Sequence, residues 1–404
     1  MTTHQWQFTS RFRRHAFGWR SNTPIQRIKE ALAEIKAVAR KDPVVAAEGA
    51  VSLLEKLSPA LEQVDSSSGA LGTAVNRAID TLVPLIVKAD VETGVRQRWL
   101  ERLWQAVQED EIPYIESLGE HWGALCVTPE LAAVWADESL PFVEHIWSPQ
   151  SSGHGFFKGA SACLASLYAA GRHDQLLALL DRAPFKCWHD RQWGVKTLAA
   201  MGKKAEAVRY AEQSRGLNAP GWQIAEACEA ILLSSGMADE AYRRYAIEAH
   251  QGATHLATFR SITKKYPNTR PEQILRDLVA STPGAEGKWF AAAKDAGLFN
   301  VAIELVSTSP TDPRTLARAA RDFAESQPEF AVAAGVASLR WISRGQGYDI
   351  TGVDVLDAYT AVMHAAATAG VNAQQMKAQI RDLLAATPTG NQIMKSVLAH
   401  HLKV

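Results

Sequence analysis

The sequence predicts an all-α fold, an α–α superhelix of helical hairpins, and three observations carry that reading. Helix-length runs are broken by glycines in AAGRHDQLLALL, AAMGKKAEAVRYA, SSGMADEAYRRYA and DAGLFNVAIELV. The anchors Gly171, Gly202, Gly236 and Gly297 lie 31, 34 and 61 residues apart, the last gap being two units with one anchor replaced. The replacement falls at Tyr266-Pro267-Asn268-Thr269-Arg270-Pro271, where prolines break the helix. The second observation is a residue no larger than leucine five positions after each glycine: Leu176, Ala207, Ala241 and Ala302. The third is abundant alanine with few β-branched runs, which favours helix. A tight helix–helix corner needs a left-handed backbone position, and glycine adopts it at little cost. The residue five on lies one turn into the second helix, where the pair crosses most closely and a bulky side chain would force it apart.

This period and these two positions resemble the tetratricopeptide repeat, a helix–turn–helix unit of about 34 residues. The resemblance covers residues 155–310. The first-helix signature of tryptophan, leucine, glycine and tyrosine is not kept, and the closing proline recurs only as Pro184, Pro220 and Pro310. The resemblance implies a tetratricopeptide-like or HEAT-like solenoid.

Each element can be justified in order. Residues 1–22 form an arm in which Trp6, Phe8, Phe12, Phe17 and Trp19 interleave with Arg11, Arg13, Arg14 and Arg20. Thr23, Pro24 and Gln26 mark the start of a helix whose apolar stripe is Ile25, Ile28, Leu32, Ile35 and Ala39. Lys41-Asp42-Pro43 ends it. A second helix runs over Val44–Leu57, and Ser58-Pro59 opens another short piece. Asp65–Gly69 is a loop by composition, and Ala70–Lys88 is a helix kinked or ended at Pro84. Gly94–Gln108 carries Val95, Trp99, Leu103 and Val107 on one face. After the repeats, Thr311-Asp312-Pro313 caps a helix bearing Leu316, Ala320 and Phe323. Helices over Glu329–Ser343, Asp354–Ala369, Asn372–Ala386 and Asn391–Leu402 finish the chain, with a loop at Arg344–Asp349. The Ser- and Gly-rich stretch Ser148–Gly159 reads as a boundary. The expected organisation is therefore an arm (1–22), an N-terminal helical region with an acidic second half (23–147), the repeats (153–310) and a C-terminal helical cap (311–404).

The formal net charge is zero, so bulk charge does not recruit a polyanion. Charge is nonetheless polarised. Between Leu103 and Phe157 stand nine acids, among them Glu109, Asp110, Glu116, Glu130 and Glu138, and no lysine or arginine. Residues 1–40 hold eight basic residues against Glu30 and Glu34. Trp104, Trp122, Trp135 and Trp147 share the acidic segment; rings of this size dominate helix packing, and one or two left on a wall would anchor a peptide. No apolar run approaches the ~20 residues that span a bilayer, and MTTHQWQFTS lacks a secretory pattern. Four cysteines without a CxxC fit reduced thiols in the cytoplasm.

No strong catalytic pattern stands out. Cys187 and His189 lack the further ligands a zinc site needs. His121 near Cys126, Glu116 and Trp122 is the weak enzyme reading. The Arg182/His189 and Arg244/His250 spacings arise readily by chance. The reading is a cytoplasmic, non-enzymatic helical-repeat scaffold without a cofactor or metal. It binds a protein or peptide on its concave surface, with Trp104, Trp122, Trp135, Glu109, Asp110 and Glu116 as contact residues and no membrane as partner. The alternative is nucleic-acid binding through Arg11, Arg13, Arg14 and Arg20 of the arm and a ridge of Lys203, Lys204, Arg243 and Arg244 near the repeat turns.

Overall fold

Corner glycines set the local architecture. Gly171, Gly202, Gly236 and Gly297 all have φ between 70° and 77°. At each, the next residue's amide reaches back to the carbonyl five residues earlier: Arg172 to Leu167, Lys203 to Leu198, Met237 to Leu232 and Leu298 to Ala293, at 2.9–3.0 Å. Leu176, Ala207, Ala241 and Ala302 are all 0% exposed, as their place at the helix crossing requires. The computed structural model describes residues 4–148, 157–216, 219–386 and 392–402. Among them every regular element is a helix or a 3₁₀ turn, and no strand occurs. The fold is the all-α succession of helical hairpins, tetratricopeptide-like at its corners.

The chain divides into two compact units, Met1–Pro220 and Gly221–Val404. This division falls inside the stretch read as continuous repeats. The boundary expected at Ser148–Gly159 lies within the first unit, because the helices flanking it pack on each other; residues 149–156 lie outside the described residues.

The first unit holds α1 (Asn22–Ala39), α2 (Pro43–Leu61), α3 (Ala70–Lys88), α4 (Thr93–Gln108), a 3₁₀ turn (Glu116–His121), α5 (Trp122–Cys126), α6 (Pro129–Ile146), α7 (Ala160–Ala169), α8 (His173–Arg182), α9 (Trp188–Ala200) and α10 (Lys204–Glu212). Leu53, Leu54 and Leu57 of α2, Leu71, Ile79 and Leu82 of α3 and Leu103 of α4 are buried in one core with the arm's Phe8, Phe12 and Phe17. The Trp6 ring lies against α2 where Gly49 has no side chain; a Cβ there would meet it at 2.2 Å. Arg96 is buried, and its guanidinium donates to the carbonyls of Ile86 (2.5 Å) and Ala89 (2.6 Å), closing the C-terminal end of α3. Arg102 of α4 bridges Glu48 and Glu55 of α2.

Three local expectations change. Thr23 does not cap α1: the helix begins at Asn22, with Ser21 already helical and making no side-chain cap. Pro59 opens no new piece, since α2 runs through it to Leu61; its carbonyl instead accepts the amide of His15 from the arm. Pro84 likewise sits inside α3, which continues to Lys88. That helix, at 19 residues, is long and apolar enough to cross a membrane by length and composition, against the expectation that no such run exists. Its apolar stripe is packed in the first unit's core.

The second unit holds α11 (Gly221–Leu233), α12 (Ala238–Ala249), α13 (His255–Lys265), α14 (Pro271–Ala280), α15 (Phe290–Asp295), α16 (Phe299–Thr308), α17 (Pro313–Asp322), α18 (Pro328–Ser343), α19 (Gly352–Thr368), α20 (Ala373–Ala385) and α21 (Gln392–Leu398). The break at Tyr266–Pro271 separates α13 from α14, which starts on Pro271. Asp312 caps α17 by accepting from the amide of Thr315 at 3.0 Å. Small residues let α18 and α19 approach: a Cβ on Gly335 would meet Val362 Cγ2 at 2.3 Å. A further corner of the glycine type joins α19 to α20 at Gly370, with the Val371 amide on the Ala366 carbonyl at 2.8 Å.

Candidate functional site

Two arrangements in the first unit share the short segment Glu116–Cys126. The first is aromatic. Trp122 is fully buried, and its ring meets Trp104 at 5.6 Å and Trp135 at 5.1 Å edge-to-face, while Trp104 and Trp135 stand 5.9 Å apart. On the outer side Trp104 and Trp135 line a cleft of about 290 Å³ with Gln108, Glu138, Phe142 and Phe157. Phe142 stacks on Phe157 with ring centroids 6.2 Å apart, yet stays 59% exposed. Helix α6 explains this. Its buried face carries Leu131, Trp135, Ser139 and Val143, and Glu138 and Phe142 lie on the outward edge of that stripe.

The expected contact residues separate accordingly. Trp104 and Trp135 line the cleft, whereas Trp122 backs it from inside and touches no surface. Asp110 is also interior: its carboxylate accepts from Ser58 Oγ and from the Ile115 amide (2.8 Å). Burial pushes its pKa up against those hydrogen bonds. It holds the chain after α4 and presents nothing to the surface. Glu109 is exposed and accepts from Gln105, and Glu116 opens the 3₁₀ turn half-buried.

The basic residues of the nucleic-acid alternative fall in both units. Arg11 pairs with Glu30 and Arg14 with Glu62, while Arg13 and Arg20 are exposed. The arm's rings Phe8, Phe12 and Phe17 are spent on the core, which leaves Trp19 outside. Lys203 and Lys204 belong to the first unit; Arg243 and Arg244 belong to the second, and both pair with Glu240.

The second arrangement is polar. Ser161 in the first turn of α7 has its Oγ 2.6 Å from His189 Nε2 of α9, and His189 Nδ1 lies 3.3 Å from Glu120 Oε1 in the 3₁₀ turn. This bonding pattern assigns Nδ1–H as the donor to Glu120 and Nε2 as the acceptor from the hydroxyl. The Glu120 carboxylate beside it raises the His189 pKa, and the same bond lowers that of Glu120. Lys196, on the same helix as His189, lies over the Trp193 ring at 4.2 Å, and burial depresses its pKa. Cys187 turns to Asp190 (3.0 Å) rather than sharing a point with His189, and burial pushes its thiol up to about 11. His121 stays half-buried 3.9 Å from Asp80 while Trp122 turns into the ring cluster, so the two do not line one pocket. Arg182 pairs with Glu144 and not with His189.

No protein-family model and no curated protein matches the sequence. Among solved structures, the chain is similar to one described as the crystal structure of the APC/C hetero-tetramer Cut9-Hcn1. The alignment has 14% identity, covers 95% of this chain and 73% of that one, and has a TM-score of 0.25. The fold rests on the helices and glycine corners of the chain itself.

Sequence reasoning missed Ser161, Glu120, Phe142 and Phe157. Glu120, Ser161 and His189 come from three elements, and no spacing rule links them. Phe142 gave a readable signal: a phenylalanine one residue after Pro141 on the polar flank of a helix stripe. The relay makes a stability prediction. The raised His189 pKa contributes stability that is fully present below the ordinary imidazole value near 6.5 and lost as pH rises through the higher folded value. The lowered Glu120 pKa contributes above the ordinary carboxylate value near 4.5 and is lost as pH falls through the lower folded one. The melting temperature of His189→Gln is therefore expected to fall furthest below that of the parent between about pH 5 and 6.5. By pH 9 the difference shrinks. Thermal melts at pH 5.5 and 9 check it, and a gap independent of pH would refute it.

Proposed function

We propose that this chain is a helical-repeat scaffold that binds a peptide segment, and that the aromatic cleft of the first unit is where the segment docks. The observation that carries the reading is Phe142, 59% exposed at the mouth of a cleft walled by Trp104, Trp135 and Phe157. An exposed ring beside packed rings is costly in water and useful at an interface, where aromatic anchors supply most of the binding energy. The occupant is argued from charge. Glu138 lines the cleft without a basic partner among the described residues, and the segment from 104 to 156 carries no lysine or arginine. The segment it fits has one or two large apolar side chains flanked by lysine or arginine.

The test uses a labelled peptide with a Leu-Phe core flanked by lysines and a second with the lysines replaced by glutamates. Fluorescence anisotropy with the whole protein is expected to favour the basic peptide at least tenfold. Phe142→Glu is expected to weaken binding at least tenfold while the melting temperature changes little, since the side chain is mostly in water. Equal binding of both peptides, or an unchanged affinity for Phe142→Glu, would refute the cleft as the docking site.

A further inference from the structure

The Ser161–His189–Glu120 relay has the order and atom assignment of a nucleophile, a general base and a carboxylate that orients the base. We propose that Ser161 is a nucleophile for acyl transfer, acting on small-acyl esters, an activity beyond the scaffold role. Three features of the site support it.

The first is geometry. The hydroxyl faces Nε2 at 2.6 Å and the carboxylate faces Nδ1 at 3.3 Å, so one imidazole can take the hydroxyl proton while the other nitrogen stays anchored. In a resting site the base–carboxylate bond is often longer than in the working complex. The three groups come from separate elements, α7, α9 and the 3₁₀ turn, each held by its own packing. Ser166 and Leu167 of α7 and Trp193 of α9 are buried, as are Leu118 and Gly119 of the turn.

The second is the position of the serine. Ser161 is the second residue of α7, after the N-cap Gly159. The amides of the first turn of a helix have no intrahelical acceptor. Ala160 finds the Phe157 carbonyl (3.0 Å) and Cys163 the Gly159 carbonyl (2.9 Å). The amides of Ser161 and Ala162 have no hydrogen-bond partner among the described residues. The amide of the residue after the nucleophile is where an oxyanion is held in hydrolytic elbows, and the helix dipole adds to it. The third feature is Gly119. A Cβ there would stand 3.3 Å from Ser161 Cβ and 3.4 Å from the Ala162 nitrogen, so any larger residue would crowd that amide. Ser161 is 8% exposed and Gly119 packs on its amide flank, so the acyl group proposed is a small one.

The chemistry balances with water as the only co-reactant. Ser161 Oγ forms a bond to the ester carbonyl carbon, the carbonyl electron pair moves onto oxygen, and the hydroxyl proton passes to His189 Nε2. Collapse of the adduct re-forms the carbonyl and breaks the bond to the leaving alcohol, which takes the proton from Nε2. A water molecule then repeats the sequence on the acyl-serine, releasing the carboxylic acid and restoring the hydroxyl. Glu120 touches neither substrate nor reacting atoms and is a positioning residue.

The experiment measures p-nitrophenyl acetate hydrolysis by the full chain in a Cys187→Ser background, which removes the thiol two residues from His189. A fluorophosphonate probe and peptide mass mapping accompany it. The expected result is probe attachment at Ser161. A rate should rise with pH through a pKa above the ordinary imidazole value, with a loss of about 100-fold or more in Ser161→Ala and His189→Ala. Glu120→Gln is expected to shift the pH profile downward as well as slow the rate, which a merely structural residue would not do. Probe attachment elsewhere, no attachment, or a Ser161→Ala rate equal to that of the Cys187→Ser parent would overturn the proposal. Ser161→Ala changes one buried hydroxyl, and its circular dichroism melt is expected to match the parent closely enough to exclude unfolding as the cause.

Discussion

Gly123→Ala is expected to destabilise the first unit by about 3 kcal/mol and to lower its melting temperature by roughly 10 °C. Gly123 sits in α5 against α7, and a Cβ there would lie 2.3 Å from the Ala165 carbonyl oxygen and 2.8 Å from Ala169 Cβ. Neither obstacle can rotate away: one is main chain inside a helix and the other a methyl group fixed to it. The helices must part, and the parting reaches the flanking Trp122 and Cys126, both fully buried. Glycine elsewhere gives the control. Gly72 lies in α3 with nothing within 4 Å of where a methyl group would sit, so Gly72→Ala is expected to raise stability by about 0.5–1 kcal/mol through helix propensity alone. Differential scanning calorimetry of the two variants checks the contrast in sign. A Gly123→Ala melt matching the parent would mean that α5 does not pack as described.

Glu229→Ala is expected to lower the stability of the second unit by about 3–4 kcal/mol, through orphaned hydrogen bonds rather than lost apolar contact. Glu229 of α11 is 1% exposed. Its carboxylate accepts from His250 Nε2 at 2.9 Å and from the Tyr266 hydroxyl at 2.6 Å. The far nitrogen of His250 meets Ser261 Oγ at 3.2 Å. One carboxylate thus ties the ends of α12 and α13 to the middle of α11. Burial, then the carboxylate itself, holds the Tyr266 phenol well above its ordinary range. Removing the acceptor leaves a phenol and an imidazole buried without it. Tyr266→Phe removes only one donor and is expected to cost about 1–2 kcal/mol. The double variant is expected to cost less than the sum of the two, because the phenol is already unpaired once Glu229 is gone. Urea titrations of the three variants measure this directly, and strict additivity would contradict the shared bond.

The repeats were the most legible part of the sequence. Glycine at a left-handed corner is a local requirement, so Gly171, Gly202, Gly236 and Gly297 announced their hairpins without tertiary knowledge. Proline was less reliable as punctuation. Pro59 and Pro84 sit within α2 and α3 because tertiary packing outweighs one lost helical hydrogen bond near a helix end. The site was partly legible. Trp104, Trp122 and Trp135 share one stretch of the sequence and their rings meet in the structure, but one-dimensional order does not say which ring faces out, and Trp122 and Asp110 proved interior. The Ser161–His189–Glu120 trio was invisible because its members meet only through the packing of three elements.

At the four repeat corners and again at Gly370, a methyl group would meet nothing within 4 Å. What each corner selects is handedness and not room. Such a position tolerates asparagine, whose short amide accepts the left-handed region, far better than valine or isoleucine. Related chains would therefore be expected to drift from glycine toward asparagine at these corners, and the hairpin would persist after the glycine signature itself had faded from view.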